Sequence, residues 1–208
     1  MESGGHPHIL RLYYTCTKGA SVWCVTDYCP GGELLDHIRT RTTRLHETQV
    51  AHVMHQIGSA LQFLHKKRIV HLDVSLENIL VTNNGHLQLC DFGAARYLKL
   101  QSGAVPDTIT TTTSTSSSSS SSSTNSALIE SKNTAEPSAT ETTELLIGKV
   151  GKHGYMAPEV YEGLPFDGRL ADMFSIGVVL FLLLVGCPPW KLPTTTGTFF
   201  FPFFFFFF

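Results

Sequence analysis

The chain has 208 residues, a formal net charge of −2 and 42% hydrophobic residues, which suffices for one ordinary domain with a single core. The near-neutral charge excludes a strongly basic surface, so nucleic acid is not an expected partner. Five cysteines, an odd number with no C-x-x-C pair, argue against a disulfide framework or a cysteine zinc site and fit a reducing, cytoplasmic setting.

The opening "MESGGHPHIL" has no basic stretch followed by an apolar core, so no signal peptide is expected. "HILRLYYTC" and "SVWCVTDYC" are rich in β-branched and aromatic residues and are separated by the turn-prone "TKGA"; they predict a strand hairpin. "PGGELLDHI" leaves that hairpin through a Pro-Gly-Gly turn into a short helix. Between Glu47 and His65, apolar side chains at Val50, Val53, Met54, Ile57, Leu61 and Leu64 fall at helical spacings and predict a one-faced amphipathic helix. "NILVT" and "HLQLC" flank "NNG", the signal of a second hairpin.

Residues 102–144 are of low complexity, with unbroken hydroxyl runs at Thr110–Thr113 and Ser116–Ser123. Their apolar surface is too small to offset ordering entropy, so disorder is expected, either as a passive insert or as a phosphorylated region. "FSIGVVLFLLLVG", from Phe174 to Gly186, is shorter than the roughly 20 residues of a membrane span. It reads as a buried helix, and no membrane partner is expected. The last ten residues are almost pure phenylalanine and read as a translated T-rich stretch of DNA rather than part of a fold. The fold class expected is α+β, with a small sheet and a mostly helical bulk.

The residues that carry chemistry cluster around the second hairpin. In "HLDVSLENIL", from His71 to Leu80, Asp73 and Asn78 stand five apart. Both residue types also favour turns, so the pair alone is a weak signal. Asp91 opens "DFG" eighteen residues after Asp73, and "GYMAPE" runs from Gly154 to Glu159. His52 and His55, three apart on the long helix, lack a third ligand nearby and read as a solvated face rather than a metal site. Cys90 reads as a small buried hydrophobe, with a reactive thiol near a ligand as the alternative.

In their order, these motifs resemble the eukaryotic protein kinase signature H-R-D-x-x-x-x-N, D-F-G, A-P-E. The resemblance covers residues 6–98 and 145–190, and it implies a protein kinase-like fold using ATP and Mg2+ on a protein substrate. It implies that Asp73 accepts the substrate hydroxyl proton, and that Asn78 and Asp91 hold magnesium. Asp27 to Cys29 become the hinge that bonds adenine, with Thr26 behind the pocket, Leu80 under the ring and Glu33 near the ribose or a basic substrate residue. Phe92, His71 and Leu12 stack as a spine, Asp172 anchors the catalytic loop, and Glu159 pairs with an Arg near the family's C-terminus. The domain organisation that follows is a partial kinase domain from hinge to DFG at 1–98, and an activation-segment insert at 99–144. The domain continues over 145–193 and ends in a Phe-rich tail at 194–208.

The chain also departs from that pattern. The Gly-rich loop and the strand Lys are absent, and the sequence stops soon after "PPW". A fragment that binds ATP poorly is therefore expected, with a non-catalytic scaffold or an inactive truncated gene product as alternatives. Leu72 stands where the family has Arg, so no dependence on an activation-loop phosphate is expected. Ser75 replaces the usual Lys that contacts the γ-phosphate, and Lys152 replaces the Thr that faces it. The resemblance implies that these two side chains meet beside Asp73, with the cation having changed places. From Asp91 to Glu159 the chain runs 68 residues (159 − 91), about twice the family's usual activation segment or more. Looping out such an insert costs little, because closure entropy grows only logarithmically with length.

Overall fold

The computed structural model describes residues 5–41, 45–99 and 144–190. The hydroxyl-rich segment and the Phe-rich tail expected from the sequence lie outside the described residues. The ends of the segment are described, and they meet: the Lys99 N–H donates to Glu144 Oε2 across 2.9 Å. Lys99 and Glu144, 45 residues apart in sequence, are thus neighbours in the structure.

The first hairpin is β1 (Leu12–Lys18) and β2 (Ser21–Thr26), antiparallel, with Leu12 facing Thr26 and Lys18 facing Ser21. Its turn is tighter than "TKGA" suggests: Gly19, with φ +62°, takes up the left-handed conformation between the strands. The short helix is α1 (Leu34–Arg39).

The amphipathic pattern forms α2 (Glu47–Lys66), which begins with a reciprocal cap. The Thr48 N–H donates to His46 Nδ1 at 3.3 Å, and the His46 N–H donates to Gln49 Oε1 at 3.1 Å. These bonds satisfy donors that a helix start leaves orphaned. Val50, Ile57, Leu61 and Leu64 of the expected face are buried; Val53 and Met54 pack at its edge.

After α2 come β3 (Ile69–Val70), β4 (Ile79–Val81), β5 (Leu87–Leu89) and β6 (Arg96–Tyr97). The strands form three separate two-stranded ladders, β1–β2, β3–β6 and β4–β5, rather than one small sheet. The β4–β5 ladder is the hairpin signalled by "NNG", with Ile79 opposite Leu89. "APE" opens α3 (Pro158–Glu162), which has Pro at its first turn and ends on Gly163 at φ +77°.

The apolar run lies within α4 (Gly168–Val185), which starts six residues earlier than the run itself. By length and composition α4 is long and apolar enough to cross a membrane. Here it packs along α2, placing Ile176, Val179 and Leu183 in the main core with Ile57, Leu61 and Leu64. A second apolar cluster joins Val70, Leu72, Leu98, Met156, Val160 and Phe166. The segment between His71 and Asn78 runs between these two clusters, and the site is built on it.

Candidate active site

Asp172, on the first turns of α4, holds the start of that segment. Its side chain is fully buried. The His71 N–H donates to its Oδ2 at 2.9 Å, and the Leu72 N–H donates to its Oδ1 at 2.7 Å. His65 Nε2, from the last turn of α2, lies 2.8 Å from Oδ2. These bonds fix Leu72 at φ +63°, a conformation that costs a non-glycine residue about 1–2 kcal/mol. The Leu72 side chain is buried in the second apolar cluster. An apolar residue suits that place, and it puts no cation beside Asp73.

His71 is also fully buried and is bonded through both ring nitrogens. Nε2 lies 3.0 Å from the Cys90 carbonyl, and Nδ1 accepts the Asp73 N–H at 3.3 Å. A neutral ring protonated on Nε2 satisfies both contacts. Burial accordingly pushes its pKa below the usual histidine value, against the opposing pull of Asp172. The ring meets Phe92 edge-on at 4.9 Å between centroids, which is the His71–Phe92 part of the stack expected from sequence. Leu12 lines the same groove as Phe92.

Asp73, Ser75, Asn78 and Lys152 converge. Asn78 Nδ2 donates to the Asp73 carbonyl at 2.7 Å and to Asp73 Oδ2 at 2.8 Å. The Lys152 N–H donates to Asp73 Oδ1 at 3.1 Å. The Lys152 ammonium donates to Ser75 Oγ at 2.9 Å and to Asn78 Oδ1 at 3.0 Å, and lies 3.5 Å from Asp73 Oδ2. Its three N–H donors thus face three oxygens. Gly151 permits this approach: it sits at φ +92°, and a Cβ there would lie 2.5 Å from the Leu72 carbonyl oxygen.

Asp91 is delivered by the β4–β5 ladder, whose end is closed by the Cys90 N–H donating to the Asn78 carbonyl at 2.9 Å. It adopts φ +60°, and its exposed carboxylate accepts the Gly93 N–H at 3.1 Å. Burial, with Asp91 beside it, raises the Cys90 thiol to about 11, so the buried-hydrophobe reading describes this thiol better than the reactive one.

Of the residues expected around adenine, Glu33 borders β4, Cys29 reaches β5, and Asp27 and Thr26 bond to the first hairpin and to each other. Glu33 bridges to Leu80. The Cys29 thiol donates to Gln88 Oε1 at 3.2 Å, and Gln88 pairs with Leu80. The Asp27 N–H donates to the Arg11 carbonyl at 3.2 Å, and the Asp27 carboxylate accepts the Tyr13 hydroxyl at 2.5 Å. Thr26 Oγ1 donates to the Asp27 carbonyl at 3.2 Å.

Oxygen donors on a carboxylate and an amide suit magnesium, which binds few protein ligands and completes its shell with water and phosphate. Among the described residues no group of three or more His, Cys, Asp or Glu gathers as a metal cage. The donor set therefore fits an ion held jointly with a phosphate.

Sequence reasoning missed two elements of the site. Tyr155 ties "GYMAPE" to the loop: its hydroxyl donates to Glu77 Oε2 at 3.0 Å and accepts the Leu76 N–H at 3.4 Å. Burial, with Glu77 adding to it, drives the tyrosine pKa well above its ordinary value. The other is His65, more than a hundred residues from Asp172 in sequence, which no local pattern flags.

A model of the protein kinase domain family matches residues 1–119. Among curated proteins, the chain is 30% identical to the serine/threonine-protein kinase SIK2 of Gallus gallus over 93% of its own length and 19% of that protein's. It is 30% identical to the serine/threonine-protein kinase RUNKEL of Arabidopsis thaliana, over 91% of the chain and 11% of that protein. It is also 30% identical to the serine/threonine-protein kinase YPK3 of Saccharomyces cerevisiae, over 89% of the chain and 29% of that protein. The chain thus spans less than a third of the length of each of these relatives.

Proposed function

This chain belongs to the protein kinase domain family, and from that premise we propose that it contributes the catalytic loop of a protein serine/threonine kinase. The reaction transfers the γ-phosphoryl group of Mg-ATP to a protein hydroxyl. The hydroxyl oxygen bonds to the γ-phosphorus as the bond to the bridging β–γ oxygen breaks. ADP leaves, and the hydroxyl proton passes to Asp73.

One observation carries the reading: Asp73, Asn78, Ser75 and Lys152, drawn from two segments, meet within hydrogen-bonding distance. An ionised carboxylate offers about four lone-pair positions. Asn78, the Lys152 N–H and the Lys152 ammonium engage three of them on Asp73, leaving one for a substrate hydroxyl. By the family pattern Asp91 and Asn78 would each hold one of two magnesium ions, which would offset charge on the phosphates.

Lys152 takes the part of the γ-phosphate cation. Its longest contact, 3.5 Å to Asp73 Oδ2, is the one a γ-phosphate oxygen replaces. That exchange unloads the base as substrate arrives, and the ammonium then stabilises charge on the transferring group. Asp27, Cys29, Glu33 and Leu80 form the adenine and ribose side of the cleft in this reading. Serine/threonine rather than tyrosine as acceptor follows the relatives, which are named serine/threonine-protein kinases. The odd cysteine count supports a cytoplasmic setting.

The test is transfer of labelled γ-phosphate to a protein acceptor, followed by phosphoamino-acid analysis. Magnesium-dependent phosphoserine or phosphothreonine that disappears in Asp73→Asn supports the reading. Transfer that is unchanged by Asp73→Asn defeats it.

A further inference from the structure

Asn78 has a single side-chain oxygen, and it is already engaged. Its Nδ2 group is spent on the Asp73 carbonyl and carboxylate, at 2.7 and 2.8 Å. These two bonds orient the amide, so Oδ1 is the atom presented to the site. Oδ1 accepts the Lys152 ammonium at 3.0 Å.

A magnesium ion on the same oxygen, at about 2.1 Å, would lie at most about 5 Å from that ammonium nitrogen. Like charges at such a separation repel strongly in a partly buried site. The ammonium is held in place from several sides. Ser75 Oγ fixes it at 2.9 Å, Asp73 Oδ2 lies 3.5 Å away, and the Lys152 backbone is pinned to Asp73 Oδ1 at 3.1 Å. Asn78 is 6% exposed, so its amide has little freedom to turn elsewhere. Asp91, by contrast, is exposed and, among the described residues, accepts the Gly93 N–H. The two oxygen sites are therefore unequal: one is open to a metal, the other is filled by a cation belonging to the chain.

We propose that the Lys152 ammonium takes the place of one divalent ion, so that the nucleotide-loaded site holds a single metal, at Asp91, with Asn78 serving the lysine. The proposal rests on the nucleotide-binding reading above and replaces its second metal by a side chain. Ser75 belongs to the same device: its small hydroxyl leaves room for the ammonium and accepts one of its protons. The metal requirement is thereby built partly into the fold, and saturation with magnesium follows a single-site curve.

The experiment is a manganese titration of the 208-residue chain with a non-hydrolysable ATP analogue at saturating concentration, which offsets the weak nucleotide binding expected without a Gly-rich loop, with free ion read by electron paramagnetic resonance. It is run on the wild type, Lys152→Met and Lys152→Arg. The expected result is one manganese per nucleotide-loaded chain in the wild type and in Lys152→Arg. Lys152→Met, which keeps length and loses charge, should bind a second ion about tenfold or more tightly than the wild type does. The wild-type count stands without any variant, so a misfolded Lys152→Met does not rescue the proposal. Two ions in the wild type overturn it, as does a Lys152→Met protein that binds the analogue with one ion only. No metal–nucleotide binding in any of the three overturns the kinase reading itself, and this inference with it.

Discussion

The Lys152 ammonium donates to the Ser75 hydroxyl across 2.9 Å, joining residues 77 apart in the chain. Neither residue matches the kinase pattern at its own position, but together they restore a cation beside Asp73. The same lysine reaches Asp73 and Asn78, so one side chain ties the loop to the segment that follows the insert.

Gly151 is what lets that segment come so close. With φ +92° and a Cβ position 2.5 Å from the Leu72 carbonyl oxygen, Gly151→Ala meets both backbone strain and a backbone clash. We expect a loss of about 2 kcal/mol or more in urea unfolding. Phosphoryl transfer should fall further than stability alone explains, because the neighbouring Lys152 N–H holds Asp73 Oδ1. Unchanged transfer in a folded Gly151→Ala protein would show that the close approach is not needed.

Asp172 carries the loop from the other side. Asp172→Ala leaves the His71 and Leu72 N–H groups buried without their acceptor and releases Leu72 from its left-handed conformation. The expected cost is about 3 kcal/mol or more, read by chemical unfolding. Asp172→Asn keeps one acceptor oxygen and should fall between the two.

His71 links stability to pH. Its folded pKa is depressed by burial, so in acid the unfolded chain binds the proton more readily than the folded one. Its contribution is complete above the ordinary histidine value of about 6.5 and is lost as pH falls below that towards the folded pKa. The melting temperature should therefore drop between pH 7.5 and 5.5. The drop should be smaller in His71→Tyr, which removes the titrating group. Equal pH slopes in the two proteins would exclude His71 as a source.

Cys90 gives a chemical check on burial. A thiol raised to about 11 holds roughly a hundredfold less thiolate at pH 8 than one titrating near 9. Iodoacetamide should therefore label the exposed Cys16, Cys24 and Cys187 well before Cys90. Early labelling of Cys90 would contradict the packing around "DFG".

Much of this was legible in the sequence because it is local. The α2 stripe, the "NNG" hairpin and the three spaced motifs each declare themselves within a few residues, where side-chain period and turn chemistry act. Lys152 meeting Ser75 was legible only through the family pattern, since no spacing rule joins residues so far apart. Tyr155 on Glu77 and His65 on Asp172 were not legible, because tertiary packing alone brings them together. The single sheet expected became three ladders for a similar reason. Strand propensity marks where strands form, while pairing depends on what each edge meets. The start of α4 was placed late because Arg169 and Asp172 interrupt the apolar pattern ahead of Phe174, although Asp167 caps the helix by accepting the Arg169 N–H at 2.8 Å.

The most direct test of the exchanged cation compares Lys152→Thr with the double change Ser75→Lys and Lys152→Thr, measuring the turnover of phosphoryl transfer. The single change should lower turnover about a hundredfold or more. The double change, which returns a lysine to the loop and a threonine opposite it, should recover most of the loss. A Lys152→Thr protein that turns over at the wild-type rate would show that the Lys152 ammonium is not the γ-phosphate cation.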